Sequence, residues 1–317
     1  MHTQQNHRNF IEAIGIALAC SFALAGTAMG ADKAGIKIAL IDTDGKCVKE
    51  SVTGKLELDR KYVKGDRIVV TGAKNLAVKV DEHFAETLLF APKGKVDFPI
   101  PLWPVGKYAK KYPHPPKAFQ GEKHVIAARV PTAREIAAYR NLAVNPMDPR
   151  GKSPAYPHAS SNSEWGEAAV FSAKTAIDGF VEATGDHHSW PRQSWGPYLP
   201  GGKHPEPELT IDFGRPVEID KLVIVGRYNV RQGGYWKEAT VEFSDGSKVT
   251  IKPEYNGKRQ EFPTKKRVVT SMKFTKLVPN IPKKYAAFVE VEAWGKPAAK
   301  PAKLPEKEAA GSSKTAK

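Results

Sequence analysis

The sequence predicts a mainly β protein: two β-sandwich domains, the second a jelly roll, joined by a connector with one short helix. Three observations predict it. Short runs of alternating apolar and polar residues recur along both halves of the chain, the period-two signature of half-buried strands. Glycine (26) and proline (25) punctuate those runs, which suits many turns rather than long helices. A stretch rich in proline, lysine and tyrosine separates the two sets of strands, and 317 residues suffice for two domains, each with its own core.

Ahead of the strands, residues 1–30 read as a secretory signal peptide. His2, His7 and Arg8 form a polar lead, and Phe10 to Ala25 is apolar apart from Glu12 and Ser21. Gly26-Thr27-Ala28-Met29-Gly30-Ala31 supplies the small residues a processing enzyme cuts beside. The apolar run falls short of the roughly 20 residues that span a bilayer. The processed protein is therefore expected to be secreted or periplasmic, on the cell exterior, and not transmembrane. Cys20 leaves with the signal and Cys47 stays alone, so no internal disulfide or zinc knuckle is expected.

Residues 34–103 read as a small N-terminal β-sandwich. Its expected strands are Ile36 to Ile41, Ser51 to Leu58, Arg67 to Val70, Leu76 to Val80, Thr87 to Phe90 and Val96 to Ile100, with turn signals at Asp44-Gly45 and Gly65-Asp66. Residues 104–155 read as a Pro-rich connector carrying a helix over 132–144. Thr132 and Glu135 have capping-box spacing, Ile136, Tyr139, Leu142 and Ala143 form a helical stripe, and Asn145-Pro146 ends it.

Residues 156–295 read as the second domain. Glu208 to Phe213 alternates, Lys221 to Val225 is nearly continuous apolar, and Ala239 to Phe243 turns at Asp245-Gly246 into Lys248 to Ile251. Val268 to Phe274 and Phe288 to Ala293 complete an antiparallel set. Residues 296–317 are a Lys/Pro/Ala tail with almost no large apolar side chain, so disorder is expected there. The tail carries six lysines and two glutamates, so most of the formal net charge of +15 belongs to the folded region. A negatively charged partner or surface follows from that excess, and so does a merely basic surface.

The second domain resembles the discoidin family, also called coagulation-factor type C domains. This family of galactose-binding-like sandwiches includes the family 32 carbohydrate-binding modules. The residues carrying the resemblance are Ala159-Ser160-Ser161-Asn162, Ala173 to Ala176 leading into Ile177-Asp178-Gly179, and Gln193-Ser194-Trp195-Gly196. They continue with Leu209 to Gly214, Pro216 to Leu222, Ala239 to Ser247 and the closing Phe288 to Gly295. The resemblance implies a glycan-binding role, with ligand loops at one end of the sandwich. It also implies one structural Ca2+ in many members, for which Asp178 and Glu290 are the matching carboxylates; oxygen ligands of this type suit calcium.

Sugar recognition needs an aromatic face against the C–H face of the ring and fixed polar groups on the hydroxyls. Residues 185–195 hold both kinds in one loop, with His187, His188, Trp190 and Arg192 as candidate ligand contacts and with Pro191 and the following Pro197 to stiffen it. Trp195 reads more readily as a plug of the sandwich base. A second loop, Arg227 to Trp236, offers Arg227 first, with Arg231, Tyr235 and Trp236 as further candidates. By resemblance Arg227 takes the place of an arginine that bonds ring hydroxyls, a task suited to the planar guanidinium fork. The alternative for this loop is an exposed hairpin with Trp236 packed inside.

No nucleophile elbow, phosphate-binding glycine loop or zinc-helix motif occurs. The expected function is an exported, non-catalytic carbohydrate-binding protein whose partner is a glycan or polysaccharide, neutral or anionic, with no nucleic acid expected. The alternative is a structural or adhesion protein held to an anionic cell-surface or matrix polymer by charge. An exported glycoside hydrolase stays open as a third class.

Overall fold

A computed structural model describes residues 35–102, 118–148, 154–163, 172–181, 206–228, 233–281 and 285–298. The described residues belong to one compact unit with two hydrophobic cores. The expected signal peptide and the Lys/Pro/Ala tail lie outside them.

The first sandwich contains β1 (Lys37–Ile41), β2 (Cys47–Ser51), β3 (Lys55–Asp59), β4 (Arg67–Thr71), β5 (Asn75–Lys79), β6 (Thr87–Phe90), β7 (Lys95–Pro99) and β8 (Lys123–Arg129). Two four-stranded sheets, in the orders β2-β1-β4-β7 and β3-β8-β5-β6, are paired antiparallel throughout. Alternation turns Leu56 and Leu58 of β3, Ile68 and Val70 of β4, Val96 and Phe98 of β7, and Ile126 and Ala128 of β8 inward. They meet Ile38, Leu40, Leu76, Val78 and Leu89 in one core. The first turn is built by Asp42, whose carboxylate accepts the backbone N–H of Asp44 at 3.0 Å and of Lys46 at 2.8 Å.

The connector is a correction to the expectation. Part of it, β8, is a strand of the first sandwich paired with both β3 and β5. The helix is only α1 (Ala133–Ala137). Both bonds of the capping box form: the Glu135 N–H donates to Thr132 Oγ1 at 3.2 Å and the Thr132 N–H to Glu135 Oε2 at 2.7 Å. The helix stops at Ala138, which is extended (φ −63°, ψ 143°). Beyond it β9 (Arg140–Asn141) takes the free edge of the second sheet, and Leu142 and Ala143 enter the second core. A short helix is marginal on its own, so sheet pairing plus apolar burial outweighs its propagation.

The second sandwich contains β10 (His158–Ser161), β11 (Leu209–Gly226), β12 (Gly233–Gly234), β13 (Trp236–Phe243), β14 (Lys248–Ile251), β15 (Arg259–Pro279), β16 (Tyr285–Ala286) and β17 (Phe288–Pro297). Its main sheet runs β14-β13-β15-β11-β17-β9, with β10 added to β11, while β12 and β16 form a short parallel pair. The two expected strands at Glu208–Phe213 and Lys221–Val225 are one long strand. Register breaks near Asp212–Val217 and Ile219–Lys221 bend it, as bulges do. The bends let successive halves of β11 and β15 face one core of Leu209, Ile211, Ile219, Leu222, Val241, Phe274 and Val291. Among the described residues no helix is long and apolar enough to cross a membrane.

Candidate functional site

The site lies at one end of the second sandwich, where β11 finishes. Val225 is opposite Glu290 of β17 on one side and Arg259 of β15 on the other. The turn after the Ala173–Ala176 3-10 helix reaches the same end, because the Gly179 N–H donates to Glu290 Oε1 at 3.1 Å. The expected metal pair, Asp178 and Glu290, is therefore brought together.

Both carboxylates are buried, at 8% and 1% exposure. Asp178 accepts the Phe180 N–H at 3.0 Å, while Glu290 Oε2 is buried with no hydrogen-bond partner. Burial pushes both carboxyls well above their ordinary range, and the charge of Asp178 adds to the effect on Glu290. Two buried, mutually repelling carboxylates with a spare oxygen fit a hard cation. Among the described residues no group of three or more His, Cys, Asp or Glu gathers, so further ligands would be backbone or water oxygens.

Arg227 sits at the end of β11, as the sequence suggested, but its side chain is 2% exposed. Burial lowers its pKa to about 9. This is a correction: a guanidinium buried inside the sandwich end is not presented to a ring hydroxyl. Trp236 is corrected likewise. It is 1% exposed, with its ring 6.5 Å from Phe288 in the core, so it offers no face to a sugar. His187, His188, Trp190, Arg192, Trp195 and Arg231 lie outside the described residues.

What the structure adds is a tyrosine platform. Tyr228 directly follows Arg227, and Tyr255 lies four residues before Arg259. Tyr228 and Tyr255 are 38% and 46% exposed, with ring centroids 4.8 Å apart. Tyr235 stacks on Tyr255 at 5.3 Å and 27°. The platform is held by polar bonds beneath it. Gln260 Oε1 accepts the Glu254 N–H at 2.6 Å and Gln260 Nε2 donates to the Glu254 carbonyl at 2.9 Å, which fixes the turn carrying Tyr255. The Tyr235 N–H donates to Asn280 Oδ1 at 3.0 Å. Of the three, the sequence offers Tyr235 as one of the further candidates of its loop and Tyr228 only as a loop member, and it does not point to Tyr255. Its turn, Glu254-Tyr255-Asn256-Gly257, is unremarkable until β15 folds it against Tyr228.

The family described as F5/8 type C domain matches residues 158–291. No curated protein matches the chain. Solved structures similar to this chain include the family 32 module of Clostridium perfringens NanJ, in complex with galactose (17% identity, 44% of this chain and 93% of that one, TM-score 0.34). Others are chitosan-binding module 2 of a Paenibacillus sp. IK-5 chitosanase/glucanase, in complex with chitotriose (15%, 49% and 100%, TM-score 0.34), and a Streptococcus pneumoniae fucose-binding module (13%, 50% and 96%, TM-score 0.35).

Proposed function

We propose that the F5/8 type C domain carried by residues 158–291 makes this protein an exported, non-catalytic carbohydrate-binding protein, recognising glycans at the sandwich end where β11 finishes. The observation that carries the reading is the hydrogen-bond-braced platform of Tyr228, Tyr235 and Tyr255, with Tyr228 and Tyr255 exposed, at the end of β11 where Val225 pairs with Glu290. Tyrosine presents a rigid apolar face with a polar tip, and bracing in advance of binding lowers the entropy lost on capture. Asp178 and Glu290 would hold a calcium ion, which supplies charge neutralisation and stiffens the turn under the site.

Isothermal titration of the full chain against pools of neutral and acidic oligosaccharides tests the reading. Tyr255→Ala is expected to weaken the responding sugar at least about tenfold, roughly 1.4 kcal/mol, with the melting temperature little changed because the ring is half exposed. Retained affinity in both Tyr255→Ala and Tyr228→Ala would move the site away from the platform. Release of reducing ends from a bound oligosaccharide would show turnover and sink the non-catalytic part.

The +15 charge favours an acidic glycan over a neutral one, which merges this reading with attachment to an anionic polymer through charge.

A further inference from the structure

The two sheets of the first sandwich end in the edge strands β2, β7, β3 and β6. Three of these carry charge. β2 has Lys49 and Glu50, β3 has Lys55, Glu57 and Asp59, and β7 has Lys95 and Asp97. Charged side chains on an edge discourage pairing with another chain. β6 reads Thr87-Leu88-Leu89-Phe90 and carries none. Its far end is closed, because Phe90 and Tyr156 exchange both backbone hydrogen bonds, at 3.2 and 2.8 Å. Pro157 then leads the chain away to β11, where His158 lies opposite Asp212. Bonding direction along a strand repeats every second residue. The Leu88 N–H and C=O therefore point to the same side as those of Phe90, away from β5. Among the described residues no group pairs with them.

Leu88 lines a cleft of about 530 Å³, together with Phe84 of the first sandwich, Arg140 of β9, Val144, and Phe180 of the turn after Asp178. That volume, with an apolar lining and a few polar groups, is what a binding site requires. The carboxylates of the cleft are engaged. Glu86 accepts Arg129 Nε at 3.1 Å and Nη2 at 2.5 Å, and Asp178 accepts the Phe180 N–H at 3.0 Å. Arg140 is the opposite case. Its Nη1 donates to the Asn141 carbonyl at 3.3 Å, its Nε is buried with no partner, and no carboxylate pairs with it among the described residues. A cation partly removed from water without a counter-charge is costly. An incoming carboxylate relieves that cost through a charge-assisted hydrogen bond.

We propose that this cleft is a strand-docking groove, in which an extended acidic segment of a partner protein adds to the edge of β6. The segment bonds the Leu88 N–H and C=O as Tyr156 bonds those of Phe90. Its apolar side chains enter between Phe84, Val144 and Phe180, and a carboxylate meets Arg140. In strand addition the main-chain bonds supply affinity, and pockets for alternate side chains supply choice. A peptide backbone offers the matching N–H and C=O in one repeat, which is why the occupant is a peptide and not a sugar. The groove does not depend on the tyrosine platform.

The test is fluorescence anisotropy of the full chain with labelled, capped pentapeptides. One alternates valine with glutamate and one valine with lysine. Two more are the acidic peptide N-methylated on its odd or on its even amides. Hydrogen exchange over residues 86–90 is read alongside. The acidic peptide is expected to bind saturably, at least about tenfold more tightly than the lysine one, and to slow exchange at Leu88. Methylation of the amides that face β6 should abolish binding, and methylation of the other set should not. Leu88→Pro removes the outward N–H and no bond to β5, a change edge strands tolerate, and should weaken binding at least about tenfold. Arg140→Gln should erase the preference for the acidic peptide. If Leu88→Pro fails to fold, the methylated peptides and the exchange at Leu88 decide. No saturable binding of the acidic peptide, undiminished binding of both methylated forms, or full binding by folded Leu88→Pro overturns the groove. Full acidic preference in Arg140→Gln overturns the acidic partner. Slowed exchange at Leu88 that rises with protein concentration in the absence of peptide makes the occupant a second copy of the chain, and the partner reading falls. Tyr255→Ala should bind the peptide as the parent does, so failure at the platform leaves the groove standing.

Discussion

Glu290 Oε2 is a buried acceptor with no hydrogen-bond partner, set beside the equally buried Asp178. Both folded-state pKa values are raised, so the folded chain holds protons that the unfolded chain has released. Stability therefore falls as pH rises from the unfolded carboxylate range, about 4, until the folded values are passed. In chelator, the melting temperature is expected to fall between pH 5 and pH 8. Calcium should restore it, and more at pH 8, where no proton competes; at 100 times its dissociation constant the gain is about 2.7 kcal/mol. Glu290→Gln keeps an oxygen for the Gly179 N–H and should flatten both the pH slope and the calcium response. An unchanged calcium response in that variant would remove Glu290 from the cation site. At this scale the meeting of Asp178 and Glu290 at one turn was legible in the sequence. The sequence was not legible for Tyr255, whose neighbours Tyr228 and Tyr235 come from other segments, nor for the inward turn of Trp236 and Arg227, because side-chain direction at a strand end depends on a register that bulges reset.

Strands β11 and β17 cross closely at Gly295. A Cβ there would lie 1.9 Å from the Glu218 carbonyl oxygen and 2.9 Å from Ile219 Cα. Both obstacles are backbone, so neither can swing away. Gly295→Ala is expected to destabilise by at least about 3 kcal/mol, the upper end for overpacking, seen as a lower urea midpoint with the m-value unchanged. A shift below about 1 kcal/mol would mean that β17 can slide relative to β11. The alternating strands of the first sandwich and β13 and β14 were readable because one face of each is dry and the other wet. The unreadable elements are those set by partners distant in sequence. β8 is separated from β3 and β5 by the Pro-rich stretch. The expected helix over 132–144 satisfies helical spacing, yet its second half finds a sheet edge in β17.

The largest difference between sequence and molecule is where the second domain begins. Composition places the start near Tyr156, after the proline signals. The structure ties Arg140 to Ala143, Asn145 and Asp148 into that domain, while Met147 packs in the first core. The Leu142 N–H donates to the Ala293 carbonyl and the Asn145 N–H to the Ile177 carbonyl, both at 2.7 Å. The Asn145 side-chain amide donates to the carbonyls of Ala155 and Pro157, and the Ala159 N–H donates to Asp148 Oδ2 at 2.9 Å. Asn145 and Asp148 are 1% and 2% exposed. A fragment cut at Tyr156 loses an edge strand and leaves several buried backbone groups unpaired, at about 1–3 kcal/mol each. A fragment starting at Val130 keeps them. The shorter fragment, 156–298, is expected to melt on the order of 10 °C below 130–298, since about 1 kcal/mol corresponds to a few degrees at this size. The full chain, with Phe90 and Tyr156 bonded across the junction, should unfold in one transition. Equal melting of the two fragments would return 140–148 to the role of a connector.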